Sequence, residues 1–148
     1  MYLLDTNILS ATAPTKTQPD RELQAWIRRN SDCLFLSVVT LLELSHGLTW
    51  LQHRKATEKA ARLEAWIGIT CSYYQTRILP VDGAVAIRAG ALITAARARG
   101  SRIATEDAII AATADLRSLT VLTGNARHFA PTGVAHLNPF LSLPPDAS

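Results

Sequence analysis

Leu34-Phe35-Leu36-Ser37-Val38-Val39-Thr40-Leu41-Leu42-Glu43-Leu44 is the stretch on which the fold turns. Leu34 to Val39 is a short apolar run that reads as a buried strand, and Thr40 to Leu51 continues as an apolar helix. The same grammar recurs on either side. Tyr2 to Leu4 is a short strand, followed by polar sequence marked by Pro14 and Pro19. Asp20 opens a helix running to about Asn30, with Leu23, Trp26 and Ile27 as its apolar stripe. Arg54 to about Tyr74 is a longer amphipathic helix with Ala60, Leu63, Trp66 and Ile67 on its inner face. Ile78 to Val81 is a strand, and Asp82 caps an Ala-rich helix that ends near Gly100. Thr105 to Arg117 is a helix, Leu119 to Thr123 a strand, and Val134 to Leu137 a last short strand. Alternation at this spacing predicts an α/β fold: a mostly parallel central sheet flanked by helices on both faces. In such sheets, sites form at the carboxyl ends of the strands.

The chain has 148 residues, 48% apolar and 18% charged, which is one globular domain with enough length for its own core. Residues 1–141 make that domain, and residues 142–148, with Pro144 and Pro145, read as a loose tail. The net charge of +3 permits a polyanionic partner without demanding one. Cys33 and Cys71 stand far apart without metal or redox spacing, as expected of a reduced, cytoplasmic protein. The opening Met1-Tyr2-Leu3-Leu4-Asp5 has no basic n-region, and charged residues interrupt every apolar run short of a membrane span. Secretion and membrane insertion are therefore not expected.

Most acids lie in polar company. Asp5, Glu43 and Asp107 do not: each sits where its neighbours must be buried, and no Lys or Arg lies within four residues of Asp5 or Glu43. A desolvated carboxylate is costly unless it is paired or metal-bound. Singly, each acid has a purely structural role open to it. Asp5 can form an Asx-turn or cap a helix, Glu43 can complete a capping box with Thr40, and Asp107 can favour a helix N-terminus. All three also fall near strand ends or in the first turns of the helices beyond them, which is one edge of a parallel sheet. Carboxylates gathered there make a hard-cation site suited to Mg²⁺ or Mn²⁺.

With these residues in view, the chain resembles the PIN-domain ribonucleases, and among them the VapC-type toxins of type II toxin–antitoxin pairs. Leu3-Leu4-Asp5-Thr6-Asn7-Ile8-Leu9 is similar to the family's opening strand and first acid. Leu36 to Leu44 is similar to the second strand and the helix carrying the second acid. Asp107-Ala108-Ile109-Ile110-Ala111-Ala112-Thr113-Ala114 is similar to the third acidic motif. Leu119-Thr120-Val121-Leu122-Thr123-Gly124-Asn125-Ala126-Arg127-His128-Phe129 is similar to the final strand and its loop. The resemblance implies a PIN fold with Asp5, Glu43 and Asp107 gathered at one end of the sheet. It implies Mg²⁺-dependent cleavage of RNA, structured loops of tRNA or rRNA among the targets, and hence inhibition of translation. It also implies a cognate VapB-type antitoxin and a homodimer. Thr6 and Thr123 match small polar residues lining the site. Two positions depart from the pattern: many relatives carry Arg where Gly124 stands and Asp where His128 stands. Asn125 is neutral where some PIN nucleases are acidic, which leaves the number of metals open.

Phosphodiester hydrolysis needs an activated water and an answer to the charge on the leaving oxygen. The expected assignment gives Asp5 and Asp107 the metal contacts, direct or through water. Glu43 binds the metal's water or orients the nucleophile, Asn125 holds a water or the phosphate, and Thr6 supplies a supporting hydroxyl. Arg97, Arg99, Arg102 and Arg127 are the candidates for phosphate contacts, whereas Arg54, Lys55, Lys59 and Arg62 read as a solvated helix face. A receiver domain would want a late Lys, and none follows Lys59; a dehalogenase-type phosphatase would want an acid where Asn7 stands. The remaining alternative is a PIN-like RNA- or protein-binding module without cleavage.

Overall fold

The computed structural model of the protein describes residues 1–146. Its five strands are β1 (Tyr2–Leu4), β2 (Leu34–Ser37), β3 (Ile78–Leu79), β4 (Thr120–Leu122) and β5 (His136–Leu137). All pairs are parallel, in the order β3-β2-β1-β4-β5. The helices are α1 (Thr6–Ser10), α2 (Arg21–Arg29), α3 (Val38–His53), α4 (Thr57–Tyr74), α5 (Gly83–Ala98), α6 (Thr105–Leu116) and α7 (Ala126–Phe129).

Side chains alternate across each strand, and here both faces are apolar. Leu3 and Val121, with Phe35, face Val85, Ala89 and Leu92 of α5 and Ala108, Ile110 and Ala111 of α6. Leu4, Leu34, Leu36 and Leu122 point the other way, onto Ile8 and Leu9 of α1, Leu23, Trp26 and Ile27 of α2, Leu44 and Tyr74. The sheet is thus covered on both sides, as expected. Truncating one fully buried strand residue such as Leu122 to Ala should cost about 2–5 kcal/mol.

Several boundaries differ from the sequence reading, each for a local reason. The second strand stops at Ser37, not Val39, because the Ser37 hydroxyl accepts the Val39 N–H and starts α3 there. Glu43 therefore completes no capping box with Thr40. Pro80 offers no N–H to a ladder, so β3 ends at Leu79 and not at Val81. Lys55 adopts a left-handed conformation (φ 58°), which separates α3 from α4 and delays the long helix to Thr57. The last two strands are shorter than read, Thr120–Leu122 and His136–Leu137. Two short helices, α1 and α7, are additions.

Within 142–146, Trp26 Nε1 donates to the Pro144 carbonyl at 2.8 Å, Leu143 packs on the α2 side of the core, and Asn30 Nδ2 donates to Asp146 at 2.8 Å. Ala147 and Ser148, the end of the segment read as a tail, lie outside the described residues.

Candidate active site

The chain leaves β1 for β2 on one side, while β4 and β5 lie on the other, so the strand order reverses at β1. Crevices at the carboxyl ends of such strands are where α/β sheets place ligands. Asp5 is the first residue after β1 and Thr123 the first after β4; the pairing of Leu4 with Leu122 sets them side by side.

Asp5 is only 4% exposed and caps α1. Its Oδ1 accepts the Thr6 N–H at 2.7 Å. Its Oδ2 accepts from Asn7 Nδ2 at 2.5 Å and from the Thr123 hydroxyl at 2.7 Å. Thr123 Oγ1 in turn accepts the Asn125 N–H at 2.9 Å, and Asn7 Oδ1 accepts the Gly124 N–H at 2.8 Å. The loop after β4 is thereby tied to the loop after β1. At the start of α1, the Thr6 hydroxyl donates to Glu43 Oε2, joining that helix to α3. Asp107, in the first turn of α6, meets His128 Nδ1 at 3.1 Å.

Burial pushes the Asp5 carboxyl up from its ordinary value. The Thr123 and Thr6 hydrogen bonds pull it back, and the charge of Asp107 pushes it up again. Glu43 is raised by burial first, is lowered by its bond from Thr6, and is raised again by Asp5, Asp107 and Glu106. The carboxylates therefore feel one another across three elements. Among the described residues, no Lys or Arg forms an ion pair with any of them; His128 is the one partner, on Asp107. The donor set is hard, anionic and uncompensated, which suits a divalent cation. Among the described residues, no three Asp, Glu, His or Cys side chains lie close enough together to hold a metal ion between them as they stand. A divalent ion there would take few direct protein ligands and keep several of its waters, as Mg²⁺ can. Thr40 Oγ1, three residues ahead of Glu43 on α3, is buried without a hydrogen-bond partner among the described residues.

Of the residues singled out from sequence, Asp5, Thr6 and Glu43 are joined by hydrogen bonds, and Asp107 is coupled to them through charge. Asn125 stands apart: it is exposed, and its side chain does not cap α7, although its N–H reaches Thr123. Arg97 and Arg102 line an open cleft with Gly100 and Ser101, whereas Arg99 is spent on the Pro131 carbonyl at 2.6 Å. Sequence reading did not connect Asn7 with Asp5 and Gly124, nor His128 with Asp107. The i, i+2 spacing of Asp5 and Asn7 was a visible signal for an Asx-type contact; nothing local connects His128 with Asp107, 21 positions away.

The sheet order, the doubly covered sheet and the acids at its carboxyl edge define a class, and comparison with known proteins agrees. The PIN domain family model matches residues 2–133. The toxin FitB of Neisseria gonorrhoeae is 36% identical over 142 residues, covering 95% of this chain and 99% of that protein. The VapC ribonuclease Y4jK of Sinorhizobium fredii is 32% identical, covering 95% and 98%. The crystal structure of FitAcB from Neisseria gonorrhoeae superposes with a TM-score of 0.83 at 34% identity, covering 95% of this chain and 99% of that one. The chain belongs to the PIN-domain family, and within it to the VapC-type proteins of toxin–antitoxin systems. No helix among the described residues is long and apolar enough to cross a membrane.

Proposed function

We propose that this protein is a divalent-metal-dependent endoribonuclease acting as the toxin of a VapBC-type pair, cutting structured RNA such as tRNA or rRNA loops and so halting translation. The observation that carries this reading is Asp5. It is a nearly fully buried carboxylate at the point of strand reversal, raised by burial and by Asp107, with no Lys or Arg paired to it among the described residues. Beyond capping α1, a buried carboxylate without a cationic partner at such an edge is the kind of group that binds a metal ion. Relatives named as a toxin and as a ribonuclease support the assignment.

In this reading Asp5 and Asp107 hold Mg²⁺ or Mn²⁺, directly or through water. When bound, the ion supplies charge for the phosphate and acidifies a water. Glu43, whose carboxyl is raised from its ordinary value chiefly by burial, orients the attacking water and accepts its proton. Thr6 fixes the Glu43 carboxylate through its hydroxyl. Thr123 and Asn7 fix Asp5, leaving Asn125 at the rim to hold a water or a phosphate oxygen. Arg97, Arg102 and Arg127 offer charge to the flanking phosphates. The partner is an antitoxin whose tail places a Lys or Arg among the three carboxylates, and the toxin works as a homodimer.

The test is incubation of the purified chain with total bacterial RNA, with mapping of new RNA ends. Discrete Mg²⁺- or Mn²⁺-dependent cuts that vanish in Asp5→Asn support the reading. Undiminished cutting in EDTA defeats the metal chemistry, and no cutting with either ion defeats the nuclease assignment.

A further inference from the structure

The segment after β5 is held against the acid-bearing loops. Thr123 donates its N–H to the Leu137 carbonyl at 2.9 Å, so the residues just beyond Leu137 run beside Thr123 and Gly124. Asn138 builds a tight turn there. Its Oδ1 accepts the Phe140 N–H at 3.0 Å, its carbonyl accepts from Leu141 at 3.1 Å, and its Nδ2 donates to the Gly124 carbonyl at 3.5 Å. The turn lays the Phe140 ring on Gly124. A Cβ built on Gly124 would lie 2.8 Å from Phe140 Cε2 and 3.4 Å from Asn7 Oδ1. The ring therefore rests where a side chain at 124 would otherwise be, next to the Asn7 that binds Asp5. It is nonetheless 45% exposed.

We propose that Phe140 is a stacking platform for an RNA base at the edge of the acid cluster; this rests on the nuclease reading above. Without a bound cation the carboxylates repel the phosphates of a strand, and a neutral contact beside them adds hold that does not depend on charge. An aromatic face provides one, because every base has a π-face and stacking tolerates sequence. Gly124 makes room for the ring, and the Asn138 turn fixes it before RNA arrives, which lowers the ordering cost of binding.

The experiment measures anisotropy of a labelled twelve-nucleotide oligouridine and of an abasic ribose-phosphate chain of equal length. Both are bound to the full chain in EDTA at low salt, with melts confirming that each variant is folded. The wild type should prefer oligouridine by about tenfold, the scale of one stacked base. Phe140→Ala and Phe140→Leu should reduce that preference to about twofold or less while leaving abasic affinity unchanged, and Phe140→Trp should preserve it. Gly124→Ala, which displaces the ring without removing it, should also lower the preference. An unchanged preference in Phe140→Ala, or an equal loss for both chains, overturns the proposal. So does a loss confined to binding of a partner protein. Cleavage of total RNA by the wild type, scored in parallel, separates the two readings: cutting with no role for the ring sinks the platform alone, and no cutting sinks the nuclease reading.

Discussion

Thr123→Val should be the most informative single change in the protein. Thr123 is fully buried, and its hydroxyl both donates to Asp5 Oδ2 at 2.7 Å and accepts the Asn125 N–H at 2.9 Å. Valine keeps the volume and removes both bonds. A hydrogen bond to a charged group contributes about 1.5–3 kcal/mol; the freed Asn125 N–H belongs to an exposed residue and can turn to water, so it adds little. At about 2–4 °C per kcal/mol for a chain of this size, the melting temperature should fall by about 3–12 °C. Thr123→Ser keeps the hydroxyl and loses one methyl, worth about 0.8 kcal/mol. Valine, the closer match in shape, should therefore be the more damaging. Its second effect concerns protonation. The Thr123 bond is the strongest influence lowering the Asp5 carboxyl, so its loss raises that group further and moves the acid limb of the cleavage profile to higher pH. Serine should leave that limb in place. Thermal melts and pH–rate profiles of the three proteins measure both effects. A Thr123→Val protein as stable as Thr123→Ser, with the same acid limb, would refute the claim that this hydroxyl governs Asp5.

The same geometry sets three other outcomes. Asp107→Asn removes one of the mutually repelling charges while His128 can still hydrogen-bond the amide, so the metal-free protein should melt about 1–3 °C higher in EDTA. Asp5→Asn should gain less, because its new amide would face the Asn7 and Thr123 donors. Asp5 and Glu43 are both raised in the folded state; the stability they contribute is fully present below the ordinary carboxyl range and is lost as pH rises through their folded values. The metal-free chain should thus gain stability as pH falls from neutral toward that range, and the gain should shrink in Asp5→Asn; a flat urea-melt series would contradict this. Deleting residues 142–148 removes the acceptor of Trp26 Nε1 and should cost about 1–3 kcal/mol by urea melts.

Asp5 was legible because a parallel sheet places the residue just beyond each strand at its carboxyl edge. Asp5 after Tyr2–Leu4, and Asn125 beyond the fourth strand, could be placed by counting, whereas Thr123, read as that strand's last residue, lies just past its end. Glu43 was legible in position, but its hydrogen bond from Thr6, 37 positions away, comes only with the fold. The exit of the second strand was misplaced because Val38 and Val39 suit a strand as well as a helix, and the Ser37 cap decided the matter. Five residues of α1 are too few to show a helical period, and α7 is shorter still. His128 and Phe140 escaped for a common reason. Their partners, Asp107 and Gly124, are reached only through tertiary packing, and an isolated His or Phe near a turn carries no pattern.

The central claim is that Asp5, Glu43 and Asp107 act as one divalent-cation site. Titration of Mn²⁺ into the full-length protein, with free ion read from its paramagnetic resonance signal, tests this most directly. The account predicts saturable uptake by the wild type and at least about a tenfold loss of affinity in each of Asp5→Asn, Glu43→Gln and Asp107→Asn, the scale of losing one ligand or its support. Uptake that is absent in the wild type, or equal in all four proteins, would contradict it.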